Sequence, residues 1–161
     1  MHAARGQARG FTLIELLVVV MIIIVVIGLV GVQLMRSPAD LVQEEGERLA
    51  LLLRAVREEA ILQGRVFAFS AERGSYRVLR LERDGKLKPI EGDELLRPRS
   101  LPPGIAIETL QIEGAGDAVK EGVVFLPSGE LPAFRVVLAS AGIRWSVVGA
   151  PDGTIRAQAG S

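Results

Sequence analysis

From Phe11 to Met35 the chain is almost unbroken aliphatic sequence, 25 residues in which Glu15 is the only charge. At the α-helical rise this is about 37 Å, enough to span a bilayer with some tilt. One transmembrane helix is therefore the first expectation. Gly28 and Gly31 interrupt the aliphatics, and either allow close helix approach or loosen a packed helix. A carboxylate at the centre of such a helix costs on the order of 3 kcal/mol, and less near its end. Glu15 sits at the mouth of the run, where it is tolerable but calls for a use.

The ten residues before the run carry Arg5 and Arg9 and no acid. That bias predicts a cytoplasmic N-terminus and a C-terminal portion across the membrane. An ordinary secretory signal also begins with basic residues, but its apolar core is shorter and is followed by a small-residue cleavage site. Here the run is too long, and no clear A-x-A site follows Met35.

The basic leader, then Gly10-Phe11-Thr12-Leu13-Ile14-Glu15, then a long aliphatic helix, resembles the processing signature of type IV prepilins and type II secretion pseudopilins, over roughly residues 5 to 35. The resemblance implies cleavage between Gly10 and Phe11 by a prepilin peptidase, N-methylation of the new Phe11 amine, and assembly into a filament. The residues suit those steps. Gly10 has no Cβ, so a protease can approach the backbone there, and it discourages the helix from running back into the leader. Phe11 makes an apolar amino terminus for the membrane interface. Glu15 lies one turn beyond Phe11, within salt-bridge reach of an amino group in its own or a neighbouring helix. At low dielectric an unpaired carboxylate is penalised. Because a lone subunit can leave Glu15 among headgroups, a neighbour's amine is the expected partner.

Loss of residues 1–10 leaves 151, which suits one membrane helix and one small domain. The expected division is a leader at 1–10, a transmembrane and assembly half of the helix at 11–36, and a periplasmic globular domain at 37–161. Ser37-Pro38-Ala39-Asp40 reads as a helix restart, with a capping Ser, Pro at the first helical position and an acid in the first turn. A kink in one continuous helix is equally allowed. Leu41, Glu45, Leu49, Leu52, Leu53, Val56, Ala60 and Ile61 then follow a helical stripe. Glu44, Glu47, Arg48, Arg54, Arg57 and Glu58 lie mostly off it. Gly64 closes the helix.

The remainder, 65–161, reads as β-rich. Strands are expected over 65–71, 76–83, 105–112, 122–126, 134–140, 143–148 and 154–157, with turns at 72–75 and at Asp84-Gly85. Pro89, Pro98, Pro102 and Pro103 make 86–104 a loop with at most a short edge strand. Six or seven short strands and one amphipathic helix predict an α+β fold, the C-terminal half of a long helix packed on antiparallel sheets. Phe125-Leu126-Pro127-Ser128-Gly129 is similar to the F-x-P-x-G segment of H-type minor pseudopilins and related minor pilins. Leu101-Pro102-Pro103-Gly104 and the hairpin at Ala141-Gly142 fit the same pattern. The resemblance implies a pilin-like β-sandwich in which Phe125, Pro127 and Gly129 form a structural turn.

The only histidine is His2 and there is no cysteine. The domain would thus fold without disulfides, although it should face an oxidising compartment. Histidine triads, thiol nucleophiles and typical zinc sites are excluded by composition. Asp117, Asp152 and nearby carbonyls are ligands of the kind calcium takes, but no EF-hand-like series is present. No metal, cofactor or enzymatic activity is expected. A formal net charge of zero argues against a nucleic-acid footprint. The expected function is that of a minor pseudopilin of a type II secretion system, an inner-membrane protein whose partners are a prepilin peptidase and other pseudopilins. The alternative is a minor pilin of a type IV pilus or DNA-uptake filament.

Overall fold

The computed structural model describes residues 12–33, 37–90, 92–113 and 122–160, as backbone only from 27 to 33. The expectations for Gly10, Phe11 and Asp117, and for the path of the chain through 34–36, lie outside the described residues. The chain divides into two units, Met1–Arg36 and Ser37–Ser161.

The first unit holds helix α1, Leu13–Gln33. Its backbone rises about 31 Å. The side chains described, up to Val26, are exposed on every side. A helix apolar all round is stable only where lipid or other protein covers it.

The second unit is built around helix α2, Pro38–Gln63. Ser37 is its N-cap in extended conformation, and its Oγ accepts the Ala39 N–H at 3.2 Å. Pro38 takes the first helical position, where no amide is required. Gly64 ends the helix at φ 61, its N–H directed to Ala60 and Ile61 carbonyls. Only glycine adopts this left-handed conformation without steric cost.

The buried face of α2 comprises Val42, Glu45, Gly46, Leu49, Ala50, Leu52, Leu53, Val56 and Ala60. Two expectations are corrected. Ile61 is exposed and Leu41 only half-buried, because each lies about 100° round the helix from a buried neighbour, Ala60 and Val42. Val42 and Gly46 occupy the ladder positions instead.

Among the described residues nine strands, all antiparallel, form two sheets. The first contains β1 (Phe67–Glu72), β2 (Ser75–Leu81), β3 (Leu87–Pro89), β4 (Arg99–Ser100) and β6 (Val123–Phe125), in the order β3-β2-β1-β6 with β4 also on β2. The second contains β5 (Ala106–Ile112), β7 (Phe134–Ser140), β8 (Ile143–Gly149) and β9 (Ile155–Ala159), in the order β5-β7-β8-β9. The strand count exceeds the six or seven expected because β3 and β4 arise within the proline-rich segment. Pro89 is tolerated there because β3 pairs only with β2, at the sheet edge. Helix α2 packs mainly on β7, β8 and β9 and also touches β1 and β6. Phe67, Phe69 and Phe125 from the first sheet, Leu49 and Leu53 from the helix, and Val136, Leu138 and Val147 from the second meet in one core. The antiparallel sheets packed on a helix match the expected α+β class.

Candidate assembly and anchoring sites

Thr12 places Glu15. The Glu15 N–H donates to Thr12 Oγ1 at 3.3 Å and to the Thr12 carbonyl at 3.1 Å, and the Leu16 N–H reaches the same carbonyl at 3.2 Å. Thr12 is therefore the N-cap of α1, and Glu15 stands three residues on, in the first turn. A carboxylate there is favoured by the amide dipoles at the helix start. The Thr-x-x-Glu spacing carries the signature of such a cap, a role for Thr12 that is not among the expectations above. The Glu15 side chain is exposed, ahead of a surface in which Leu13, Ile14, Met21 and Ile24 are more than 60% exposed. Such an arrangement presents one anion at the end of an apolar rod. Among the described residues no helix is long and apolar enough to cross a membrane.

The Phe125–Gly129 segment is fastened to α2. Phe125 is fully buried and pairs with Phe67. Beyond it, the Gly129 N–H donates to the Leu126 carbonyl at 2.9 Å, closing a turn whose tip residue Pro127 is exposed. Gly129 has φ 80 and is buried, and its carbonyl accepts the Arg57 Nε–H at 2.9 Å. A Cβ at Gly129 would lie 3.0 Å from the Arg57 Nη2 and 3.1 Å from Ile61 Cδ1. Arg54 makes a corresponding bond to the start of β9, its Nε–H donating to the Ile155 carbonyl at 2.8 Å. In sequence both arginines lie off the apolar stripe of α2. The structure shows that they tie the helix to the Gly129 turn and the start of β9, 72 and 101 residues away, a distance no local pattern can signal. The other two elements of the pattern are also turns. The Ile105 N–H donates to the Pro102 carbonyl at 3.1 Å, and Ala141-Gly142, at φ 49 and 83, joins β7 to β8. Positive φ at both central residues is the hairpin geometry that matches strand twist.

Among the described residues one carboxylate is buried. Glu45, 5% exposed on α2, accepts the Tyr76 hydroxyl at 3.2 Å and lies 3.6 Å from Arg48. Burial raises its pKa above the ordinary 4.5, opposed by Arg48 and by the Tyr76 hydrogen bond. The Tyr76 hydroxyl is likewise pushed up, first by burial and then by the Glu45 charge. The pair joins α2 to β2. Among the described residues no group of three or more His, Cys, Asp or Glu is arranged to hold a metal. Asp152 instead accepts the Thr154 N–H at 2.8 Å within a turn.

An apolar helix with a capped, acidic first turn, followed by a helix packed on two antiparallel sheets, defines a protein of the pilin-like class. Residues 45–153 match the family described as Type II transport protein GspH, and residues 5–31 match the prokaryotic N-terminal methylation motif. The chain belongs to the GspH family. Type II secretion system protein H of Pseudomonas aeruginosa is 35% identical over 146 residues, 84% of this chain and 85% of that one. The crystal structure of the minor pseudopilin EpsH from the type II secretion system of Vibrio cholerae superposes with a TM-score of 0.66 at 22% identity, covering 78% of this chain and 98% of that one. The solution structure of Escherichia coli GspH gives a TM-score of 0.60 at 16% identity, with 78% and 94% covered. These two structures share the fold.

Proposed function

We propose that the chain is a minor pseudopilin of a type II protein secretion system, a structural subunit that joins a periplasmic pseudopilus through its N-terminal helix. The observation that carries this is the pairing, in one chain, of the methylation motif at 5–31 with the GspH region at 45–153. In this reading a prepilin peptidase cleaves between Gly10 and Phe11, and the Phe11 amine is methylated. Residues 11–36 anchor the protein in the inner membrane, and the unit from Ser37 onward lies in the periplasm. Arg5 and Arg9 support a cytoplasmic N-terminus. The Phe125, Pro127 and Gly129 turn is structural, holding the sheet edge against α2.

Mass spectrometry of the membrane-extracted protein tests the processing. A mature chain starting at N-methylated Phe11 is expected, together with co-purification of other pseudopilins and loss of secretion on deletion. A start beyond residue 30 overturns the reading. Loss of piliation or DNA uptake with secretion intact would favour the minor pilin instead.

A further inference from the structure

A cleft of about 350 Å³ on the flank of the second unit is lined by Arg54, Arg57, Glu58, Gly153, Thr154 and Arg156. Arg54 and Arg57 are three residues apart on α2 and so project from one side of it. Each spends its Nε–H on a backbone carbonyl, Ile155 and Gly129 respectively. Among the described residues the terminal nitrogens of both guanidinium groups make no hydrogen bond and are left for other acceptors. Arg57 is held further by the bare backbone of Gly153, where at φ 85 a Cβ would overlap its guanidinium. Arg156 follows Ile155 directly and completes the cluster. Asp152 lies close enough to feel it. Its carboxyl is held below the ordinary 3.8, first by the Thr154 backbone and side chain and further by Arg156 and Arg57. Among the described residues none of the three arginines forms an ion pair within 4 Å. Elsewhere in the same domain arginines do close such pairs, as Arg144 does with Glu108 at 2.7 Å and Arg80 with Glu82 at 2.7 Å.

Fixed guanidinium forks with unused N–H groups match a planar carboxylate, which they bind through two parallel hydrogen bonds. With Glu58 and Asp152 beside the arginines, the local excess is one positive charge, suited to one carboxylate and less suited to a doubly charged phosphate. We propose that this cleft receives an Asp or Glu side chain from a neighbouring pseudopilin, and so forms an electrostatic contact between the globular domains of adjacent subunits. The inference rests on the pseudopilin reading above.

The test uses the full chain, affinity-tagged, in cells making the complete set of pseudopilins. Arg156 is the residue to change, because its exposed side chain makes none of the internal bonds that hold Arg54 and Arg57. Arg156→Glu should lower recovery of one neighbouring subunit about tenfold, the effect of losing one charge-assisted contact. Arg156→Lys should lower it less. A photo-crosslinking residue at position 156 should mark a peptide of that subunit containing Asp or Glu, and changing that acid to Arg should restore recovery with Arg156→Glu. Undiminished recovery with Arg156→Glu, or crosslinks only to lipid, to a secreted protein or to a peptide without an acid, would overturn the proposal and leave the pseudopilin assignment standing. If the unmodified chain recovers no other pseudopilin, both fall.

Discussion

The indole of Trp145 rests on the backbone of Gly46, so that a Cβ at position 46 would overlap Cδ1 and lie 3.0 Å from Nε1 and 3.1 Å from Cγ. Glycine inside a helix costs about 1 kcal/mol relative to alanine. By propensity alone Gly46→Ala should therefore stabilise α2. Packing opposes this, because Trp145 is held in β8 between β7 and β9 and cannot withdraw without moving the sheet. Overpacking costs about 1–3 kcal/mol, so the net expectation is destabilisation by up to about 2 kcal/mol. Urea unfolding of the detergent-solubilised protein, followed by circular dichroism, measures it. Trp145→Phe in the Gly46→Ala background should recover part of the loss. It shrinks the ring and removes an Nε1–H that is buried without a partner among the described residues. A stabilised Gly46→Ala would show that the ring yields freely.

Glu45 makes stability depend on pH. Its folded pKa is raised above the ordinary 4.5 by burial, so across the window above 4.5 the folded state binds more protons than the unfolded state. Stability from this group is then fully present below that window and declines as pH rises through the folded value. Glu45→Gln retains an acceptor for the Tyr76 hydroxyl but cannot ionise. The substitution should flatten the stability profile from about pH 4.5 towards neutrality, and denaturant midpoints across that range check it. A profile as steep as that of the unmodified protein would assign the dependence to other groups.

Glu15 separates a filament subunit from a solitary anchored protein. If α1 were only a tether, Glu15→Leu would remove a small cost of insertion and change nothing else. In a filament, a docking subunit's Phe11 amine comes level with an earlier subunit's carboxylate, and removal of one partner leaves the other unpaired. Glu15→Leu should therefore be cleaved after Gly10 and retained in the membrane, yet fail to join the other pseudopilins or support secretion. Glu15→Asp, shorter by one methylene, should be partly defective. Co-purification beside a secretion assay measures both. Normal assembly of Glu15→Leu would make the carboxylate a bystander.

Some of this architecture follows from local sequence alone. The aliphatic run around α1, the Ser37-Pro38 start and Gly64 stop of α2, and the span of β7 are all legible in order, because caps, left-handed glycines and apolar periodicity act within a few residues. The Thr12 cap was legible in the same way. What the order of residues leaves open is how these elements meet. That Gly46 belongs to the buried face of α2 depends on where the Trp145 ring lies, far along the chain. Arg54 and Arg57 read as solvated charges until the start of β9 at Ile155 and the turn at Gly129 come round to receive their N–H groups. The pairing of β4 with β2, and the division of the described strands between two sheets, rest likewise on backbone partners distant in sequence. Such relationships arise only when the chain closes on itself, since burial and hydrogen bonding reward the whole set of contacts at once and not any single segment.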